Sequence, residues 1–469
     1  MIANEFNNYF VQIGPQLASN ITCTISPMSY VNYVMNSIVV PDITTTEVRK
    51  IILSLKNSSP GWDEIPASIA KRCVNNYIEP LTHIINQSLK EGVFPSEMKL
   101  ARIVPIYKCG DSSNISNYRP ISVLSFFSKV FEKIMYNIVI DFMDNNNAIY
   151  KYQFGFRQKH STQQAIITLV NKITTCLNSG DLVIGVFLDL KKAFDTVDHN
   201  ILLKKLYAYG IRGIALKWFE SYLTDRSQYV TFDGIRSDTQ TIKCGVPQGS
   251  ILGPLLFVIY MNDICNVSNL LFTVLYADDT SVLLSGKDLA DLIRCLNIEL
   301  QLLSTWLKAN KLSLNAQKTN YIIFHRARLK IDDTLLNSIY MNGSVINCTM
   351  SLKYLGVILD SKMSWIQHIA YVKNKISKGI GIMYKARRYL NKKSLVNLYH
   401  SYVYPYLIYC IESWGNAARC HLDPLFILQK RIIRIITYSN YDVSTVFIFK
   451  DLNVLPLHKL VQNRIVVIM

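Results

Sequence analysis

Two adjacent aspartates, Asp278 and Asp279, stand between two apolar runs, residues 270–276 and 281–284. The pattern predicts strand, tight turn, strand, with both carboxylates at the tip. Turns favour Asp on their own account. Neighbouring like charges nevertheless repel unless a cation neutralises them. Residues 182–190 form an almost continuous apolar run, suited to a strand buried on both faces, and that run carries Asp189 near its end. If this strand and the hairpin are neighbours in one sheet, three carboxylates converge at its edge. Hard cations such as Mg²⁺ take one or two carboxylates together with phosphate oxygens. A pair of such ions, roughly 3.5–4 Å apart, serves nucleotidyl transfer: one activates a 3′-hydroxyl and the other stabilises leaving pyrophosphate.

Around that centre the chain reads as an α+β protein. Residues 1–58 read as helical, with the polar stretch 41–46 between two helices, and the segment 57–63 is rich in turn formers. Mostly helical stretches then flank a short basic strand at 101–108. Further on, 199–207 suits a helix, 228–232 and 239–244 suit a hairpin, and 251–261 suits an apolar helix. Residues 288–311 form a long amphipathic helix and 321–325 a strand. From His368 helical periods dominate, with Lys373, Lys375, Lys378, Lys385, Arg387, Arg388, Lys392 and Lys393 interleaved among Tyr and Ile. The expected divisions are an N-terminal helical extension over 1–90, a central unit over 91–367 and a helical C-terminal region over 368–469.

Lys and Arg outnumber Asp and Glu by 50 to 33, a net charge of +17, which favours a polyanionic partner such as nucleic acid. The 10 cysteines form no CxxC pair and no Cys/His cluster at zinc spacing. With no signal-peptide pattern at the start, the expected setting is reducing and intracellular. No apolar run reaches the length of a membrane span.

The segment Phe187-Leu188-Asp189-Leu190-Lys191-Lys192-Ala193-Phe194-Asp195-Thr196-Val197-Asp198-His199 closely resembles the first catalytic block of reverse transcriptases of non-LTR, jockey-like retrotransposons. Tyr276-Ala277-Asp278-Asp279 is similar to their signature box, and Gly245-Val246-Pro247-Gln248-Gly249-Ser250-Ile251-Leu252-Gly253-Pro254 to the block between the two. A lone Tyr-Ala-Asp-Asp is weak; three blocks in order are specific. Tyr118-Arg119-Pro120-Ile121-Ser122 with Lys129, and Gln153-Phe154-Gly155-Phe156-Arg157, resemble the family's fingers blocks. The stretches 312–319, 353–356 and 404–414 resemble segments after the catalytic hairpin, so the likeness covers nearly the whole chain.

The resemblance implies a right-hand polymerase fold, with fingers, a palm built on an antiparallel sheet and a helical thumb. It also implies RNA-directed DNA synthesis on a primer 3′-hydroxyl, with two Mg²⁺ or Mn²⁺ ions. The implied metal ligands are Asp189 and Asp278, with Asp279 the weaker third acid and the Leu190 carbonyl an added contact. Phe194 corresponds to the steric gate against the ribose 2′-hydroxyl; on position alone a core ring is the leading reading, and the resemblance reverses it. Gln248 and Gly249 would flank the incoming nucleotide, although a Pro-Gln-Gly turn needs no ligand. Lys108 and Arg119 would grip the triphosphate, with Arg157 a further candidate for template or nucleotide contact. Lys318 corresponds to a lysine that protonates pyrophosphate as general acid, and plain charge stabilisation is the alternative. The partners implied are an RNA template, a DNA primer, the RNA–DNA duplex tracked by the thumb, and dNTPs, in the nucleus for target-primed synthesis. Complete elements carry a nuclease domain ahead and often a Cys/His knuckle behind. Neither pattern occurs here, so the chain is expected to be a fragment or a domesticated copy. A catalytically silent nucleic-acid-binding protein and an intron maturase are the rival readings.

Overall fold

The computed structural model describes residues 2–19, 21–326 and 338–468. The N-terminal part holds α1 (Ile2–Ser19), α2 (Thr45–Ser54), α3 (Ala67–Arg72) and α4 (Val74–Glu91). A capping box starts α2, with the Thr44 hydroxyl accepting from the Glu47 N–H and the Glu47 carboxylate accepting from the Thr44 N–H. Gly92, at φ 68°, ends α4 in the left-handed conformation that glycine adopts freely. The helical reading of residues 1–58 fails between α1 and α2. Apart from a short 3₁₀ turn at Pro27–Tyr30, that stretch has no helix among the described residues. Pro27, Pro41 and the branched run Ile38-Val39-Val40 oppose one. The backbone bonds elsewhere instead: the Val34 N–H donates to the Ala208 carbonyl and the Ile38 N–H to the Gly210 carbonyl, both at 2.9 Å.

Next come β1 (Leu100–Tyr107), β2 (Tyr118–Val123), α5 (Phe126–Asn145), α6 (Thr162–Asn178), β3 (Leu182–Leu188), α7 (His199–Ala208), α8 (Gly213–Leu223) and β4 (Ser227–Phe232). Two short strands, β5 (Ile235–Arg236) and β6 (Gln240–Thr241), pair with β4. Then follow α9 (Leu252–Met261), β7 (Phe272–Tyr276), β8 (Asp279–Gly286), α10 (Leu289–Ala309) and β9 (Asn320–Phe324). Short strands β10 (Tyr340–Met341), β11 (Ser344–Val345), β12 (Asn347–Cys348), β13 (Ser351–Tyr354) and β14 (Val357–Asp360) lead to the C-terminal helices. These are α11 (Ile366–Ala386), α12 (Lys392–Tyr402), α13 (Tyr404–Ile408), α14 (Ile411–Trp414), α15 (Arg419–Thr437), α16 (Thr445–Asp451) and α17 (Leu457–Ile468).

Two sheets matter for function. One has the order β2-β1-β4-β5, with β1 antiparallel to β2 and parallel to β4. The central sheet runs β12-β9-β3-β8-β7, antiparallel except for β9 with β12. Strand β3 shows why it reads as apolar throughout. Successive side chains point to opposite faces: Ile184, Val186 and Leu188 enter a core under α2, α4, α5 and α7–α10, whereas Val183 and Phe187 enter a second core. That second core continues through α6 into Ile376, Trp414 and Ile432 of the C-terminal helices. A third, smaller cluster joins Ala3, Phe6 and Phe10 of α1 to Ala101, Ile103 and Val230 of the first sheet. The fold is therefore mixed α and β with a largely antiparallel central sheet.

Candidate active site

The central sheet sets the acids. Leu188 of β3 lies opposite Thr280 of β8, and Tyr276 of β7 lies opposite Asp279. Asp189 directly follows Leu188 and Asp279 directly precedes Thr280, so both acids stand at the same end of this strand pair. A two-residue turn, Ala277-Asp278, joins β7 to β8, with Ala277 at φ 58°, in the sparsely populated left-handed region. The segment after α6's predecessor helix holds that turn. Gln153, fully buried, accepts from the Ala277 N–H at 3.3 Å and the Gly155 N–H at 2.8 Å. Gly155 lies so close that a Cβ there would stand 2.1 Å from the Ala277 nitrogen.

Asp189 is held from the other side. Its N–H donates to the Thr319 hydroxyl at 3.2 Å, its carbonyl accepts from the Asn315 N–H at 2.8 Å, and its carboxylate accepts from the Asn315 amide at 2.7 Å. Leu190 faces Leu314 across an isolated bridge. The flanking bonds run from Lys191 N–H to the Ser313 carbonyl and from Asn315 N–H to the Asp189 carbonyl, leaving Leu190's own carbonyl outside the pairing.

Burial and neighbouring negative charge raise the carboxyls of Asp278 and Asp279. Desolvation first, then the charges of Asp278 and Asp189, push the Asp279 carboxyl up to about 6. Desolvation also raises Asp278; Asp189 adds to the rise, while Arg119 and Lys108 oppose it. Among the described residues no three His, Cys, Asp or Glu side chains form a closed metal cage. The donor set is instead an open one of carboxylates under mutual repulsion, which suits hard cations that complete their shell with water or phosphate oxygens.

A cavity of about 690 Å³ opens over this edge. Asp189, Leu190, Phe194, Gln248, Asp278, Lys108, Arg119 and Lys318 all line it, whereas Asp279 and Gly249 do not. The volume falls within the usual range of small-molecule sites. Lys108 and Arg119 flank the β1–β2 hairpin, where the Lys108 N–H donates to the Asn117 carbonyl at 3.0 Å. Phe194 stacks on Phe257 at 4.4 Å and meets Phe156 edge-on at 6.0 Å, so its ring is fixed while still lining the cavity. The Gln248 carbonyl accepts from the Ser122 N–H at 2.7 Å. Gly249, at φ 130°, passes so near β2 that a Cβ would meet the Ser122 carbonyl at 2.4 Å. Arg157 lies elsewhere: it donates to the Tyr150 and Gln153 carbonyls, pairs with Asp144 at 3.2 Å, and does not line the cavity.

Several contributors escaped the sequence reading. Asp195 accepts from the Gln248 amide at 2.8 Å, and desolvation raises its carboxyl to about 6, against the pull of Gln248 and Lys192. Lys192 reaches the Ser116 and Tyr118 carbonyls of the hairpin at 3.3 and 3.4 Å. Fully buried Glu132 of α5 accepts from the Ile251 N–H at 2.6 Å, the Leu252 N–H at 3.4 Å and the Tyr222 hydroxyl at 3.0 Å. It thereby caps α9, the helix that follows Gln248 and Gly249. Tyr9, Ile13 and Leu17 of α1 complete one wall of the cavity. Asp195 and Lys192 lie within the quoted first block and Gln153 and Gly155 within a fingers block, so their positions were visible though not their roles. Glu132 and α1 carried no local signal.

The family described as reverse transcriptase (RNA-dependent DNA polymerase) matches residues 106–359. The chain is 30% identical over 436 residues to the RNA-directed DNA polymerase from mobile element jockey of Drosophila melanogaster, covering 90% of this chain and 47% of that protein. It is 32% identical over 435 residues to the probable RNA-directed DNA polymerase from transposon BS of the same organism, covering 89% and 47%. A polyprotein of the type-1 retrotransposable element R1 from Bradysia coprophila is 27% identical over 412 residues, covering 86% and 40%. The chain thus spans about half the length, or less, of these curated relatives.

Proposed function

The chain belongs to the reverse transcriptase (RNA-dependent DNA polymerase) family, and from that premise we propose that it extends a DNA primer by copying RNA, as the polymerase part of a non-LTR retrotransposon. The observation that carries this reading is the meeting of Asp189 and Asp278 with Lys108 and Arg119 around one cavity. Asp189 and Asp278 would hold the divalent ions, with Asp279 and the Leu190 carbonyl as additional ligands. Such ions, when bound, activate the primer hydroxyl and take up charge on the departing pyrophosphate.

The protein's own groups do the rest. Lys108 and Arg119 hold the triphosphate, Arg by its planar fork and Lys as a point charge. The primer 3′-hydroxyl gives up its proton to water, its oxygen bonds to the α-phosphorus, the bond from that phosphorus to the α–β bridging oxygen breaks, and pyrophosphate leaves. Lys318 supplies it with a proton or a compensating charge. Phe194, braced by Phe257, crowds the sugar and selects against a 2′-hydroxyl. Gln248 and Gly249 bring the backbone against the nucleotide. In this reading residues 91–367 are fingers and palm, 368–469 the thumb, and 1–90 an extension. Lysines and arginines of α11 and α12 track the RNA–DNA duplex by its phosphates. The proposed setting is the nucleus; no described helix is long and apolar enough to cross a membrane.

The test is primer extension on an RNA template with purified protein, with Asp278→Ala as control. Metal-dependent extension by the wild type alone is expected. RNA binding by both proteins with extension by neither would favour a silent binding protein.

A further inference from the structure

At the far end of the C-terminal helices, aromatic rings stand in solvent. Tyr389 is 87% exposed and Tyr441 83% exposed, and Tyr384 and Tyr438 are about half exposed. Large rings left in water on a basic surface call for a partner. Guanidinium groups lie against these rings: Arg387 is 5.7 Å from the Tyr384 ring centre and 5.3 Å from that of Tyr438, and Arg434 is 5.3 Å from that of Tyr441. The patch is also rigid. The Tyr438 hydroxyl donates to the Arg387 and Leu390 carbonyls at 3.0 and 2.7 Å, tying the end of α15 to the end of α11. Arg434 donates to the Val443 carbonyl at 3.0 Å, folding the chain bearing Tyr441 back onto the same helix end. From Tyr384 to Lys393 the sequence carries Lys385, Arg387, Arg388, Lys392 and Lys393 and no acid. Among the described residues, Lys392 alone of these is spent on an ion pair, with Asp451 at 2.6 Å; Asp442 is the acid beside Tyr441.

We propose that this surface binds single-stranded RNA, with unpaired bases stacking on Tyr389 and Tyr441 and phosphates meeting the surrounding cations. Cations alone would serve a duplex equally well, since duplex contacts fall on phosphates. Exposed ring faces reward only bases that are free to stack, and every base offers such a face. A protein partner with an apolar face would have to bury this cluster of positive charge, which the ion pairs present do not offset. The choice of RNA over DNA rests on the proposed activity, whose template is the long unpaired strand; the stacking surface itself does not.

The test uses the full chain and the double substitution Tyr389→Ala, Tyr441→Ala, at residues too exposed to support the fold. Fluorescence anisotropy reads affinity for an unstructured oligouridine RNA, its deoxy counterpart and an RNA–DNA duplex, with the melting temperature as control. The expected result is a loss of roughly tenfold or more for the single-stranded RNA, with duplex affinity, melting temperature and extension on a short template unchanged. Single-strand affinity within twofold of wild type overturns the proposal. So does an equal loss for duplex and single strand, or tighter wild-type binding of the deoxy oligomer. If the wild type binds RNA in this way but extends no primer, the polymerase reading fails and the surface stands.

Discussion

Gly155 has no room for a methyl group, because a Cβ there would strike the nitrogen of Ala277 at the root of the turn that bears Asp278. Gly155→Ala must therefore push the turn and Asp278 away from Asp189. Misplacement by about 1 Å can cost on the order of 100-fold in rate. Extension by this variant should fall by about that factor while RNA binding persists, and near-wild-type kinetics would refute the role. Phe194→Val should raise ribonucleotide use relative to deoxynucleotide use by about tenfold or more, read by competition in single-nucleotide extension; an unchanged ratio would leave the ring a packing residue for Phe257. Burial pushes the Asp195 carboxyl up to about 6 in the folded protein, above an ordinary Asp. The folded state then holds its proton more tightly, so this group's contribution to stability declines as pH rises from about 4 to 6. Asp195→Asn removes that dependence. Its melting temperature relative to wild type should be higher at pH 7.5 than at pH 4.5, and a constant difference would contradict the assignment. At this scale the acids, Arg119 and Gln248 were legible as candidates because each lies in a quoted block, and Lys108 because it ends the short basic strand before them. Asn315 and Glu132 act across 126 and 119 residues of sequence, a separation that no local pattern encodes.

Elements with an unbroken period were read to within a residue or two: the strand before Asp189, the hairpin bearing Asp278 and Asp279, and helices α9 and α10. The strand β2 was not. Arg119 and Pro120 interrupt its alternation, and it exists because β1 pairs with it from Arg102–Val123 to Tyr107–Tyr118. The parallel pairing of β1 with β4 was equally invisible, since its partners lie more than 100 residues apart. Helix α9 exposes how elements govern the site. Its first N–H groups are buried and satisfied by Glu132, whose carboxyl burial drives above its ordinary range despite Arg226 and those bonds. Glu132→Ala strands these donors, at a cost of about 1–3 kcal/mol, and frees the turn bearing Gln248 and Gly249. Denaturant melts should show that loss, and KM for dNTP should rise more than kcat falls. Glu132→Gln, which keeps an acceptor, should recover most of the nucleotide affinity; failure to do so would mean that charge, not capping, is what α9 requires.

Over the whole molecule, the second core ignores the proposed boundary at 368. Val183, Phe187 and Val274 of the central sheet share it with Ile376, Trp414 and Ile432. A fragment of residues 1–367 would expose one face of the sheet that carries the acids, and large exposed apolar faces drive aggregation. Such a fragment should be insoluble or lack native near-ultraviolet dichroism, whereas the full chain should melt those helices together with the sheet. A soluble, monomeric and active fragment would show that the sheet face needs no cover. The change of sequence character near His368 marks a change of architecture, from sheet to helices, and not a break in packing.

Helix α1 lies outside the stretch matched by the family, yet Tyr9, Ile13 and Leu17 wall the cavity, and Gly14 abuts the Asp195 carbonyl so tightly that a Cβ would sit 2.2 Å away. An engineer who trims a polymerase of this kind to its shared segment thus removes a side of the chamber. The cavity would then open to bulk water where tyrosine, isoleucine and leucine now close it.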